Sequence, residues 1–310
     1  MKVSVRVPAT IANLGPGFDC LGLALPLYNE VTVEETVMPG SGIQINVVEE
    51  NNDEVLTVPT DENNLAYKAI ELFYSFIGQT PSDLKITIKT GIPIARGLGS
   101  SASVIVGGLV AANELLGRPA DDAVLLSIAS EVEGHPDNVT PAIFGGFCLS
   151  SMESDGSVAY SKIEWPENWK LTVLIPDYEL NTMISRSVLP ENISIKDSAF
   201  NIRKCAMIID AVYRQDSEFM KKAMQDKLHQ PYREPLIKGF KEICQLSENK
   251  EDILGCVISG AGPTILIVSK DNGFDKIKNE IKEILNNLNV ECQIETFSIE
   301  NNGTQVIEKR

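Results

Sequence analysis

The sequence predicts an α+β protein of two domains, an N-terminal α/β domain followed by a ferredoxin-like C-terminal domain. Three observations carry this expectation. The chain has 310 residues, room for two domains of roughly 150 residues each. Its second half runs strand, helices, two strands, helix, strand, the order of a ferredoxin-like sandwich. Its first half alternates period-2 and helical segments around a glycine–serine loop, Pro93 to Ala102, that opens onto an apolar run. Trp165-Pro166 marks the expected boundary, giving domains 1–165 and 166–310.

Each element has its own signal. Lys2 to Val7 alternates as a strand, and the glycine- and proline-bearing stretch from Pro8 to Asp19 reads as a loop. Val31-Thr32-Val33 and Ile43 to Val48 are strands, with Pro39-Gly40-Ser41-Gly42 as the turn between them. Asp61 to Asn64 can cap a helix that carries Leu65, Ala69, Leu72, Phe73 and Phe76 on one face. Leu84 to Lys89 is a period-2 strand leading into the loop. After the apolar helix, Asp121 and Asp122 start another that runs to about Glu131. A hairpin follows from Gly145, turning at Asp155-Gly156.

Beyond the boundary, Leu171 to Pro176 is a strand and residues 195–246 are largely helical. Ile253 to Ser259 and Thr264 to Val268 are strands flanking Gly260-Ala261-Gly262-Pro263. A helix from Phe274 to about Leu288 and the strand Glu291 to Phe297 close the order. No internal repeat is present.

Composition narrows the function. The chain carries 27 Lys and Arg against 43 Asp and Glu, a net charge of −16, which repels nucleic acid and anionic membrane. An anionic substrate must therefore meet local basic groups. The six cysteines lie far apart with no C-x-x-C pair, as reduced thiols of a cytoplasmic protein do. Met1 to Val7 has no apolar core of a signal peptide. The uncharged run between Arg96 and Glu114 contains four glycines and three serines and reads as a buried helix, not a membrane span.

The loop supplies Pro93, Ile94, Ala95, Arg96, Gly97, Leu98, Gly99, Ser100, Ser101, Ala102 and Ser103 as candidate nucleotide-binding residues. Glycines permit φ > 0 and close backbone approach. The helix that follows offers N–H groups at the positive end of its dipole, where a triphosphate would sit. No Gly-Lys pair occurs in the chain, so the Walker A reading fails. Gly97-x-Gly99-x-x-Ala102 matches the dinucleotide string, but a helix, Gly117-Arg118-Pro119 and another helix follow where a second strand is required. Glycines that only pack a helix against a sheet are the remaining alternative.

Three motifs in order resolve the choice: Pro8 to Asp19, Pro93 to Ala102, and Ser259 to Thr264. Together they resemble the kinase superfamily of galactokinase, homoserine kinase, mevalonate kinase and phosphomevalonate kinase, over nearly the whole length. The form of Ala9 to Gly22, the run Glu131 to Ala142, Thr182 to Pro190 with its Arg186, and His229 to Arg233 resemble the homoserine kinase branch. The resemblance implies the two-domain small-molecule kinase fold with the site between the domains. It also implies ATP and Mg²⁺ as cofactors, and L-homoserine as the substrate, phosphorylated to O-phospho-L-homoserine in threonine biosynthesis. The expected partner is this small molecule, with a homodimer as an allowed assembly.

The resemblance also places residues. Ser101 and Glu131 match the magnesium ligands, a hydroxyl and a carboxylate suited to that ion. Asn64 sits in the loop that meets the base. Homoserine is a zwitterion with a free hydroxyl. Its ammonium calls for a carboxylate, Asp19, with Asn13 and Asn138 beside it. Its carboxylate calls for forked guanidinium groups, Arg186 and Arg233, and Thr182 and His135 complete the substrate set. Asn138, Arg186 and Glu131 are the expected catalytic residues.

Asn138 stands where mevalonate kinases carry an aspartate, and an amide is no general base. Asp137 is expected to face another way. Transfer by positioning and charge stabilisation follows, with the hydroxyl proton passing to the phosphoryl group. His135 as base is the rival assignment, and His229 reads as a support beside Tyr232 and Arg233. Two rival functions remain: a mevalonate-type kinase of the same superfamily, and a silent ligand-binding relative. Mevalonate has no ammonium for Asp19.

Overall fold

The chain begins as one long antiparallel hairpin. β1 (Lys2–Asn13) and β2 (Gly17–Glu35) pair from Lys2↔Glu34 to Asn13↔Gly17. Val3, Val5 and Val7 alternate into the core as the pattern requires. The expected loop from Pro8 to Asp19 is therefore strand on both sides of a tight turn at 14–16. Proline cannot donate to a ladder, and the register shifts between Pro8 and Ala9 and again between Ala12 and Asn13. Val31-Thr32-Val33 is the far end of β2. The computed structural model describes residues 1–36, 40, 42–49, 58–81, 83–248 and 250–310. Pro39 and Ser41 of the expected turn lie outside them.

β3 (Ile43–Glu49) runs parallel to β4 (Leu84–Thr90), with α1 (Leu65–Phe76) between them in sequence. Asn64 caps α1, its side chain accepting from Ala66 N. The buried face of α1 is Ala66, Tyr67, Ala69, Ile70, Phe73 and Tyr74; Leu72 and Phe76, expected on the same face as Ala69 and Phe73, are exposed. α2 (Ser100–Leu115) packs on β1, β2 and α1. A Cβ on Gly107 would come within 2.4 Å of Val31, so the glycines of this helix let it lie close on the sheet.

α3 (Asp122–Glu133) ends at Gly134 in the left-handed region, and α4 (Pro136–Phe144) begins at once with proline in its first turn. α4 was not among the expected elements; its nine residues carry two prolines, which mask a helical pattern. β5 (Phe147–Met152) and β6 (Val158–Ile163) form the expected hairpin around Asp155-Gly156, and β5 joins β2.

The second half starts with β7 (Trp169–Pro176) and the short α5 (Thr182–Ser187), which the sequence reading also lacked. α6 (Ile195–Arg214), α7 (Ser217–Ala223), α8 (Gln230–Arg233) and α9 (Phe240–Glu248) fill the predicted helical region. β8 (Ile253–Ile258), β9 (Ile265–Lys270), α10 (Lys278–Asn287) and β10 (Cys292–Phe297) complete a four-stranded antiparallel sheet of order β10-β7-β9-β8. This is the ferredoxin-like arrangement expected.

Two features cross the proposed division at 166. The last strand, β11 (Gln305–Lys309), returns to pair with β1 at the edge of the first sheet. One apolar cluster joins Ile11, Leu23 and Leu98 of the first half to Leu171, Val173, Val257 and Leu266 of the second. A separate cluster lies under the helices of the first sheet, and another between the second sheet and α9 and α10. The shared cluster fixes the two sheets together beneath the cleft. No described helix is long and apolar enough to cross a membrane.

Candidate active site

A cleft of about 360 Å³ opens between the first sheet with its helices and the α5, α8 and β8–β9 turn residues of the second half, within the roughly 300–1,000 Å³ usual for small-molecule sites. Its floor is the loop before α2. Gly99 precedes the helix at φ 67, and no side chain caps the N-terminus. The first N–H groups of a 16-residue helix therefore have no capping oxygen, and Ser100 and Ser101 line the cleft.

The loop's glycines answer to the protein as well as to a ligand. A Cβ on Gly97 would lie 2.4 Å from Ser259 O, and one on Gly99 1.9 Å from Thr10 Oγ1. Both residues have positive φ, where a side chain is strained in any case. Packing and ligand approach thus share the same residues.

The third glycine motif staples the site together. Ser259 Oγ donates to Gly97 O (2.6 Å), Thr264 N to Arg96 O (3.3 Å) and Gly260 N to Ala12 O (3.2 Å). Ser185 of α5 donates to Ala261 O. Arg96 serves the same purpose. Its guanidinium donates to Pro176 O and Ile94 O and faces Asp177 and Glu179, so it ties the loop to β7.

Of the eleven loop candidates, Pro93 to Ser101 line the cleft. Ala102 and Ser103 do not; both are buried in the core, where Ser103 accepts from Asn29. Helical geometry turns them away from the mouth. Asn29, fully buried, also accepts from Gly91 N and Ile92 N and shapes the loop without reaching the cleft. At the apolar end, Val47, Val58, Pro59, Ile88 and Val104 stand with Asn63 and Asn64. Asn64 donates to Pro59 O while capping α1.

The carboxylate expected beside Ser101 is a different one. Ser101 Oγ donates to Glu133 Oε1 at 2.7 Å, and Glu133 lines the cleft. Glu131 is exposed. Two residues along a helix turn the side chain through about 200°, so only one of the pair can face inward. Burial raises the Glu133 pKa, with Asp137 adding to it against the pull of His135, Ser101 and Arg186.

At the other end, Asp19 and Arg186 hold each other. Arg186 Nη2 reaches Asp19 Oδ1 at 2.8 Å and Nη1 reaches Oδ2 at 3.3 Å. Asp19 sits at φ 53, and its N–H donates to Asn13 Oδ1 (3.0 Å). Asn13 Nδ2 donates to Gly260 O, so Asn13 fixes the turn that presents Asp19. Thr182 lines the same wall.

Arg233 is 2 % exposed. Nε donates to Ser185 O, and Nη1 to Gly260 O and His229 Nδ1. His229 in turn donates from Nε2 to Gly15 O (2.7 Å), which sets its tautomer. Burial lowers the His229 pKa and the Arg233 charge adds to this, against Asp226. Asp226, absent from the sequence reading, has a fully buried side chain that accepts from Asn201 and from the N–H groups of Leu228, His229 and Gln230. Burial, with Arg186 nearby, lowers the Arg233 pKa to about 10.

Asn138 Oδ1 accepts from Thr10 Oγ1 (2.8 Å), and its Nδ2 donates to Asp137 Oδ1 (3.2 Å). His135 Nδ1 meets the same Asp137 oxygen at 2.6 Å. Asp137, 1 % exposed, lines the cleft with Asn138; the expectation that it faces elsewhere does not hold, because at the start of α4 the two side chains turn toward each other and bond. Burial lowers the His135 pKa, but the Asp137 bond and charge, with Glu133 and Asp19, raise it overall.

Known proteins place this arrangement. The profile described as GHMP kinases N terminal domain matches residues 64–146, and that described as GHMP kinases C terminal matches 208–287. A homoserine kinase from Crocosphaera subtropica is 42% identical over 304 residues, 98% of this chain and 97% of the relative. One from Clostridium botulinum is 43% identical over 98% of both chains. The crystal structure of a homoserine kinase from Cytophaga hutchinsonii superposes with a TM-score of 0.87 at 28% identity, covering 99% of this chain and 97% of that one. A mevalonate kinase structure, at 18% identity and a TM-score of 0.65, shares the fold. The chain belongs to the GHMP kinases and, within them, to the homoserine kinase family.

Proposed function

We propose that the protein transfers the γ-phosphoryl group of ATP to the hydroxyl of L-homoserine, giving O-phospho-L-homoserine for threonine synthesis. One observation carries the reading: an uncapped helix N-terminus and a carboxylate–guanidinium pair face the same cleft. The first suits a triphosphate; the second suits a zwitterion. The apolar end with Asn63 and Asn64 takes the base.

Ser101 and Glu133 fit a magnesium ion, being two hard oxygen donors already converged at the phosphate end. When bound there, the ion neutralises charge on the phosphates. The backbone of Gly97 to Ser101 positions the same oxygens. Homoserine's ammonium takes Asp19, and its carboxylate takes Arg186 and Arg233, which line the same wall of the cleft. Asn138, fixed by Thr10 and Asp137, holds the wall against which the hydroxyl rests.

The hydroxyl oxygen attacks the γ-phosphorus as the bond to the β-phosphate oxygen breaks, leaving ADP. The proton passes to an oxygen of the transferred group and on to solvent. A loose transition state tolerates this, since the nucleophile gains little charge early. The six free thiols support a cytoplasmic setting.

A coupled ADP-release assay with homoserine, mevalonate, galactose and shikimate tests the reading. Release should depend on homoserine alone; release with mevalonate alone would establish the rival kinase. The absence of a base has its own test. His135→Gln and Asp137→Asn should each retain kcat within about a hundredfold. General-base catalysis contributes about 10²–10⁴-fold, so a folded variant that binds both substrates and loses more than about a thousandfold identifies its residue as the proton acceptor.

A further inference from the structure

Phe18, between Gly17 and Asp19, meets both substrate-facing arginines. The Arg233 guanidinium carbon lies over its ring at 5.4 Å from the centroid, and that of Arg186 at 5.6 Å. The His229 ring stands 5.2 Å away, tilted by 33°. Phe18 lines the cleft. We propose that Phe18 is a positioning residue for homoserine: its ring holds the two guanidinium groups through its face and takes none of their N–H donors, so the Arg186 fork that Asp19 now occupies passes to the substrate carboxylate when the ammonium takes Asp19.

Arg186 and Arg233 are close enough for like-charge repulsion to act on Arg233. A second carboxylate would offset that repulsion but would occupy the N–H forks that the substrate needs. A ring attracts a guanidinium through its face, and so does not compete. Asp19 cannot serve throughout, because the substrate ammonium takes it. Arg186 then loses its bidentate partner while the ring remains. Phe18 and Asp19 are adjacent, so the turn fixed by Asn13 and Gly15 sets ring and carboxylate together.

This inference rests on the homoserine reading, and the two fail separately. Homoserine-dependent ADP release by the unaltered enzyme tests the reading; substitutions at 18 test the ring. Phe18→Leu should raise the KM for homoserine by about two- to thirtyfold, the span of a cation–π contact from exposed to desolvated. The KM for ATP and kcat should stay within about twofold. Because leucine also changes shape, phenylalanines with one, two and three ring fluorines are placed at 18. These keep the volume and progressively weaken the ring's negative face. The logarithm of the homoserine KM should rise steadily with fluorine number while the ATP KM stays flat. A homoserine KM independent of fluorination, or an equal rise for both substrates, overturns the proposal.

Discussion

Replacing Glu133 by glutamine lowers kcat by about a hundredfold or more, while the same change at Glu131 leaves turnover within about twofold. The contrast follows from the Ser101–Glu133 contact of 2.7 Å and the exposure of Glu131. Glutamine keeps the size of Glu133 and its bond to Ser101 but removes the charge proposed to hold a cation at the phosphates. Losing one preorganised electrostatic contact of this kind costs about 10²–10³ in rate. The measurement is kcat at limiting and saturating Mg²⁺, with thermal unfolding as the control for folding. Partial recovery at high Mg²⁺ is expected for Glu133→Gln and for Ser101→Ala. Wild-type turnover of Glu133→Gln at low Mg²⁺ would remove Glu133 from the ion.

The same pair of glutamates shows what the sequence can and cannot convey. The run from Glu131 to Ala142 marks the site, and Gly134-His135-Pro136 marks the break between two helices. The phase of α3 at its last turn decides which carboxylate faces inward, and that phase is set by packing of Leu125, Leu126 and Ala129. The ferredoxin-like sheet was legible because each of its four strands is a short apolar or alternating run bounded by turn residues, whereas the helices between β7 and β8 include short pieces whose ends carry weaker signals. The β1–β2 hairpin was less so, since Pro8 and three glycines are loop signals that the two register shifts accommodate. β11 carries no local signal of its destination; its pairing partner lies some 300 residues earlier, and only closure of the first sheet assigns it.

Residue types were legible where contacts were not. Asp19, Arg186 and Arg233 could be named as the charges a zwitterion needs, but not that Asp19 and Arg186 pair across 167 positions. Nor does composition reveal that Arg233 is held by carbonyls and His229, because those partners come from three separate segments. Arg233→Leu would leave these buried acceptors unpaired, a cost to folding as well as to binding.

Asp19→Asn should raise the KM for homoserine by about tenfold to a hundredfold, the loss of roughly 1.5–3 kcal/mol for a hydrogen bond to a charged group. The KM for ATP should move by no more than about twofold. Asp19 and Arg186 satisfy each other, so a molecule carrying only one ion reaches either of them only by breaking the pair. On the proposed assignment a zwitterion replaces both halves of the pair at once, its ammonium on Asp19 and its carboxylate on Arg186. A substrate lacking the ammonium must separate the pair and leave Asp19 without a partner. The unaltered enzyme should therefore discriminate strongly against 4-hydroxybutanoate, which keeps the hydroxyl and carboxylate but has no amino group. In Asp19→Asn that discrimination should collapse, because homoserine loses its partner while 4-hydroxybutanoate no longer has an ion pair to break. Arg186→Leu should raise the homoserine KM without abolishing the preference for an amino group. If Asp19→Asn instead raised both substrate constants equally, or left the discrimination intact, the pair would belong to the phosphates or to the fold, and the ammonium would have to be held elsewhere in the cleft.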